Sequence, residues 1–169
     1  MRLIRHGRRA DWLAAARINV AGWQHAYRGA MDDAFLDAMD PEEWSGWRAR
    51  RYGNPLPGIA HLVQYVDGSL VGYCDVGPSR SDDGAITGEL YAIYVDPDLI
   101  GRGHGRPLLA AGRQTLGQMG HRRAELWVLD SNDRARRFYE ADGWATDGAV
   151  KVEELGGTQI NEVRYVRDL

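Results

Sequence analysis

The run from 85 to 119 constrains this chain more than any other. "AITGELYAIYV" (85–95) is a long strand candidate, nearly all apolar apart from Glu89, and "DPDLIG" ends it. "IGRGHGRPLL" (100–109) then sets three glycines at alternate positions and runs into an apolar, helix-spaced segment. Leu108, Leu109, Gly112, Leu116 and Met119 share its packing face over 106–119, and Gly120 stops it. Glycines at that density let a backbone turn where other residues cannot, or be approached closely. Around this strand, glycine turn and helix, the remaining elements must arrange themselves as layers.

Those elements can be read from period and punctuation. "RLIR" (2–5) is a short strand, and residues 9–27 place Trp12, Leu13, Ala16, Val20, Trp23 and Tyr27 at helical spacing before Gly29. Two short helices follow, the second with Asp40 as its cap, Pro41 at the first position and Glu42 and Glu43 in the first turn. "NPLPG" (54–58) breaks the helices, and 59–66 and 69–77 form a hairpin about Asp67-Gly68. "PSRSDDG" (78–84) is a loop; 123–129 is a strand; 132–143 is a helix ending at Gly143. Two last strands, 144–154 and 159–167, join at Gly156-Gly157. Helices separate some strands and not others. The expected fold is therefore α/β in the α+β sense: a mixed, mostly antiparallel sheet of about seven strands with helices on both faces, in one domain over 1–169.

Composition removes several function classes. The net charge of −3 argues against a nucleic-acid binder. The basic residues are 20 arginines and one lysine, Lys151, and the arginines are scattered. Cys74 is the single cysteine, so no internal disulfide forms, and a reducing compartment is expected. No signal peptide or membrane span is read near the N-terminus, which places the expected location in the cytoplasm. No histidines stand at metal-ligand spacing, so no metal is expected.

The glycine stretch lies between strand and helix, where free helix N–H groups and a partial positive charge suit an anion. Arg102 and Arg106 add charge, His104 offers a further contact, and Pro107 fits an early helical position. Two common phosphate loops fail on spacing. A P-loop needs a lysine, and none occurs before 151; the dinucleotide fingerprint needs a third glycine where Arg106 or Leu108 stands.

"LYAIYVDPDLIGRGHGRPLLAAG" resembles the acetyl-coenzyme-A-binding segment of the GNAT acetyltransferases. Gly103 and Gly105 match its small positions, while Ile100 departs from the usual Gln or Arg. "LWVLDSNDRARRFYEADGW" resembles the same family's later strand and helix. The resemblance implies N-acetyl transfer from acetyl-coenzyme A to a primary amine by direct attack in a ternary complex. It implies cosubstrate contacts at Ile93, Val95, Ile100, Gly101, Arg102, Gly103, His104, Gly105 and Arg106, and at Asn132, Ala135 and Arg136 on the later helix. It further implies a bulge in the strand of Glu89 that frees a backbone N–H for the oxyanion.

Acetyl transfer needs a proton acceptor for the amine, donors for the oxyanion and an acid for the thiolate. By the resemblance Tyr139 is the acid and Glu89 the base. Each also has a plain structural reading, as a core aromatic and an edge-exposed charge, and Asn132 is a fair helix cap. Cys74 is read as a small buried hydrophobe rather than an acyl carrier. The resemblance places the acceptor side at the first helices and the central hairpin, which carry Trp23, Tyr27, Trp44, Trp47, Tyr73 and Asp75, with Tyr91 on the next strand; aromatics at helical spacing also have a plain reading as core. "MDDAFLDAMDPEE" holds six acidic residues in thirteen, which favours a cationic amine, although three of them already have a helix-start explanation. A small-molecule amine is the expected acceptor. The alternatives are a protein or peptide amine, or an acyl-coenzyme-A-binding protein without turnover. Apolar residues in the last strands leave a homodimer open.

Overall fold

The computed structural model describes residues 1–52, 58–81 and 86–169, with the side chains of residues 51 and 52 excepted. The expected break at "NPLPG" and the tip of the 78–84 loop lie largely outside the described residues. The elements are β1 (Arg2–His6), a 3-10 turn (Arg9–Asp11), α1 (Trp12–Tyr27), α2 (Asp33–Asp37), α3 (Pro41–Tyr52), β2 (Ala60–Val66), β3 (Ser69–Pro78) and β4 (Thr87–Val95). A second 3-10 turn (Pro97–Leu99) leads to α4 (Gly105–Gln118), β5 (Arg123–Leu129), α5 (Asp133–Glu140), β6 (Ala145–Leu155) and β7 (Thr158–Asp168). The seven strands form one sheet in the order β1-β2-β3-β4-β5-β7-β6, antiparallel everywhere except at β4 and β5. The expected mixed sheet is the observed one.

Local chemistry explains the boundaries. Asp67 and Gly68 both take positive φ, 49° and 87°, the pair that a two-residue hairpin turn requires. Gly156 and Gly157 do the same between β6 and β7. Asp40 Oδ1 accepts from Glu42 N at 2.9 Å and Asn132 Oδ1 from Ala135 N at 3.0 Å, capping α3 and α5.

Alternation along the strands makes two faces. On one, Val63 and Tyr73 pack against Ala15 and Ile18 of α1. On the other, Leu62, Cys74, Val76 and Leu90 pack against Leu108, Leu109 and Leu116 of α4, with Tyr139 of α5 beyond. A third cluster joins Met31 and Leu36 to Leu129 and Ile160, seating the far ends of β5 and β7 under α1 and α2.

Two irregularities position the site. Asp75 pairs with Ala92 but Val76 pairs with Leu90, so Tyr91 is an extra residue in β4. Strict alternation would put Glu89, Tyr91, Ile93 and Val95 on one face. The bulge breaks that register: Leu90 and Ile93 both join the α4-side core, and Ala92 and Tyr94 face α1. The second irregularity is the parallel pair itself. β4 and β5 pair only at Thr87, Gly88 and Glu89, opposite Arg123, Ala124 and Glu125. Beyond Glu89 the strands part, and the β4 backbone on that side is released from the ladder.

Candidate active site

The parting of β4 and β5 opens a cavity on each side. The larger, about 830 Å³, lies over the loop between β4 and α4 and reaches α5. The smaller, about 330 Å³, is enclosed by α1, β4, β5, β6 and β7. The two meet at Ala26, Ile93, Tyr94, Asn132, Ala135 and Tyr139, which line both.

The floor of the larger cavity has the features of an anion site. Gly101 and Gly103 sit at φ 81° and 79°, a left-handed conformation that side chains resist, and the space above each is open. Gly105 begins α4 under the Phe138 ring, where an added Cβ would lie 3.1 Å from ring carbons. α4 is 14 residues long with no acidic residue in its first turn, so its positive end is uncancelled. His104 Nδ1 is buried there with no hydrogen-bond partner among the described residues. These features suit a pyrophosphate, and the unpaired β4 edge at Ile93 and Val95 suits an amide-bearing arm.

The sequence-derived contacts divide. Ile93, Val95, Ile100, Gly101, Gly103, His104, Gly105, Arg106, Asn132 and Ala135 line the larger cavity. Arg102 and Arg136 do not. The Arg136 guanidinium turns to Tyr165 Oη at 3.2 Å and the Asp130 carbonyl at 2.9 Å. Arg134 and Arg137 line the cavity instead, because the helix repeat that aims Phe138 inward carries those positions with it.

Tyr139 stands at the junction, 8 % exposed. Among the described residues its hydroxyl has no hydrogen-bond partner. Burial, then the neighbouring Cys74 and Tyr27, pushes the phenol above its ordinary range. It is a proton donor across the neutral range. Cys74 lies beneath α4, fully buried, and burial followed by Asp75 raises its thiol well above the ordinary value. It lines neither cavity, and a protonated, enclosed thiol is a poor acyl carrier.

Glu89 lines the smaller cavity and is 1 % exposed. Arg80 occupies both of its oxygens: the Arg80 N–H donates to Oε2 at 2.9 Å, Nε reaches both oxygens at 3.0 and 3.1 Å, and Nη2 closes on Oε1. The edge-exposed reading of Glu89 is excluded by this burial.

Trp23, Tyr27 and Tyr91 line the smaller cavity as well. Trp23 stacks on Tyr27, centroids 4.9 Å apart, and Tyr91 Oη donates to the Pro78 carbonyl. Tyr73 and Asp75 line neither cavity. They lie on β3, one strand removed from the opening, under α1 and α3. Tyr73 Oη accepts from Asn19 Nδ2, and Asp75 pairs with Arg48 Nη2 at 3.0 Å and with His61 Nδ1. Residues from the last third of the chain take their place: Trp127, Lys151, Glu153, Leu155 and Glu162. The only available signal was the alternation of β5, which puts Glu125, Trp127 and Leu129 on one face.

The acetyltransferase (GNAT) family model matches residues 20–144. The chain is 31% identical to the uncharacterised N-acetyltransferase YuaI of Bacillus subtilis over 162 residues, covering 95% of this chain and 89% of that protein. It is 32% identical over 123 residues to a mycothiol acetyltransferase of Acidimicrobium ferrooxidans, covering 73% of this chain but 36% of that longer protein. A crystal structure of the PaiA N-acetyltransferase from Thermoplasma acidophilum, in complex with coenzyme A, superposes with a TM-score of 0.72 at 19% identity, covering 100% of this chain and 99% of that one.

Proposed function

Since the chain belongs to the acetyltransferase (GNAT) family, we propose that it transfers an acetyl group from acetyl-coenzyme A to a primary amine of a small molecule, by direct attack in a ternary complex. The observation that carries this reading is the pair of cavities meeting at Tyr139. One suits a phosphate-bearing arm, and the other is a 330 Å³ chamber of aromatic and charged side chains. Enclosure by α1 on one side and the β6–β7 hairpin on the other supports a small acceptor over a protein chain. The coenzyme A complex of the Thermoplasma relative supports the cosubstrate.

In this reading the chain's own residues have distinct tasks. The loop 100–105 and the first turn of α4 hold the pyrophosphate through backbone N–H groups. The unpaired edge of β4 near Ile93 and Val95 aligns the arm, and the N–H released by the bulge faces the oxyanion. Tyr139 keeps a proton ready for the departing thiolate. Water is limited by Trp23, Tyr27 and Trp127.

Release of free thiol from acetyl-coenzyme A, followed over a panel of small primary amines and short peptides, tests the proposal. Turnover on one or more small amines is expected. Turnover confined to peptides overturns the small-molecule reading, and cosubstrate binding without turnover on any amine overturns the catalytic one.

A further inference from the structure

The smaller cavity holds one primary ammonium already. Lys151, the only lysine of the chain, reaches in from β6, where its Nζ lies 2.7 Å from Glu153 Oε1, 2.9 Å from Glu162 Oε2 and 4.8 Å from the centre of the Trp127 ring. Two carboxylates and an aromatic face are the chemistry that recognises an alkylammonium. Glu162 is only partly used. It is 9 % exposed, Lys151 takes Oε2, and among the described residues Oε1 has no partner. With no hydrogen bond from the described side chains, that oxygen is available to a cation that enters the chamber. Glu89 differs in this respect, because Arg80 holds both of its oxygens.

We propose that Glu162 receives the acceptor amine and takes its proton, and that the acceptor is a primary alkylammonium with an apolar or aromatic stem and no carboxylate beside the amine. This rests on the acetyl-transfer reading of the site above. The stem lies between Trp23, Tyr27 and Trp127 and the ammonium meets Oε1. One ammonium proton passes to Glu162. The neutral nitrogen forms the C–N bond with the thioester carbonyl carbon, and the C–S bond breaks. Tyr139 gives a proton to the thiolate and regains one from the nitrogen, and Glu162 releases its proton to water. Three carboxylates, Glu89, Glu153 and Glu162, line the chamber against two cations, Arg80 and Lys151, so a carboxylate next to the amine meets a wall of net negative charge, and charge sets the specificity.

Tyramine and tyrosine differ only by that carboxylate and serve as probes. Wild type is expected to acetylate tyramine with a kcat/KM at least about tenfold above tyrosine, and tyramine is expected to quench the fluorescence of Trp23 and Trp127. Glu162→Gln should lower kcat/KM for tyramine about 100-fold, weaken the quenching and remove the acid limb of the pH profile. Glu162→Asp should keep that limb at reduced rate, and Glu154→Gln, an exposed neighbour on β6, should match wild type. The groups facing Glu162 are Tyr27 of α1, Tyr94 of β4, and Lys151 and Glu153 of β6. An unchanged rate and limb in folded Glu162→Gln overturns the assignment, as do preference for tyrosine and failure of wild type to bind tyramine. If wild type acetylates peptides alone, the small-molecule reading falls separately, and the Glu162 variants on that peptide still decide the proton acceptor.

Discussion

A single phenol sits where the two cavities meet, and its environment decides what it can do. Burial removes water from Tyr139 and pushes its pKa above the ordinary value near 10, so the proton stays on at every pH at which the enzyme is assayed. Tyr139→Phe should therefore lower kcat by about 100-fold or more, with acetyl-coenzyme A affinity nearly unchanged. In wild type, kcat should show no alkaline fall below about pH 10 from this group. Single-turnover kinetics with calorimetric titration of the cosubstrate separate the two effects, and an unaltered kcat removes Tyr139 as the acid. Gly103 is a different kind of requirement. Its φ of 79° is forbidden in effect to a β-branched residue, while the space around it is open. Gly103→Val should reshape the loop through backbone strain of about 1–3 kcal/mol and weaken cosubstrate binding at least tenfold, as titration would show. Sequence reading singled out Tyr139 and the loop because each lies in a contiguous stretch that resembles a family motif, and both line the larger cavity. It placed Tyr73 and Asp75 at the acceptor because a strand's composition does not say which neighbour covers which face. It passed over Lys151 and Glu162 because they reach the cavity beside Trp127 only once β7 pairs with β5, which no local pattern announces.

At the scale of elements, the sheet is regular except where the site needs it not to be. Glycines, caps and alternation made each strand and helix legible to within a few residues, including both two-residue hairpin turns. The three-pair contact of β4 with β5 was not legible, because it depends on how the twist of one strand diverges from another after pairing begins. The close seating of α4 depends on Gly112. A Cβ there would lie 2.8 Å from Cys74 Sγ, 3.3 Å from Val76 Cγ1 and 3.4 Å from Leu90 Cδ1. Replacing this glycine with alanine gains about 1 kcal/mol of helix propensity and meets an overpacking cost of about 1–3 kcal/mol. Gly112→Ala should thus lower Tm, whereas Gly117→Ala, on the same helix with nothing within 4 Å of the new methyl, should raise it. Equal shifts in thermal melts of the two variants would mean that propensity alone governs α4 and that its contact with β3 is loose.

Across the whole molecule, buried carboxylates fasten the α1–α3 layer to the β1–β3 side of the sheet. Asp11, at the entrance to α1, accepts from Arg5 Nη1 at 2.7 Å, Tyr65 Oη at 2.6 Å and the Arg8 N–H at 2.6 Å. Burial alone would raise its pKa, but Arg5, Tyr65 and the Arg8 amide outweigh that and hold it down at about 2. Asp75 is likewise held below the usual range: burial opposes ionisation, and Arg48 of α3 with His61 of β2 overcomes it. Both groups bind protons more weakly folded than unfolded, where an aspartate titrates near 3.9. Their contribution is complete above that value and is lost as pH falls through the folded values, about 2 for Asp11, because the unfolded chain then gains protons that the fold cannot accept. Neither link is local, since Asp11 and Tyr65 stand 54 residues apart, so no window of sequence reveals them. Acid should consequently loosen this layer before the α4–α5 side, whose core is apolar. Because α1 also carries Trp23 and Tyr27, the smaller cavity should lose its wall while the glycine loop before α4 persists. Hydrogen exchange between pH 4 and 2.5 should show amides of α1 and α3 deprotecting first, and Asp11→Asn should flatten the fall in urea midpoint over that range. Uniform deprotection of both faces would mean that the two layers unfold as one unit, with the carboxylates stabilising the whole molecule rather than a layer of it.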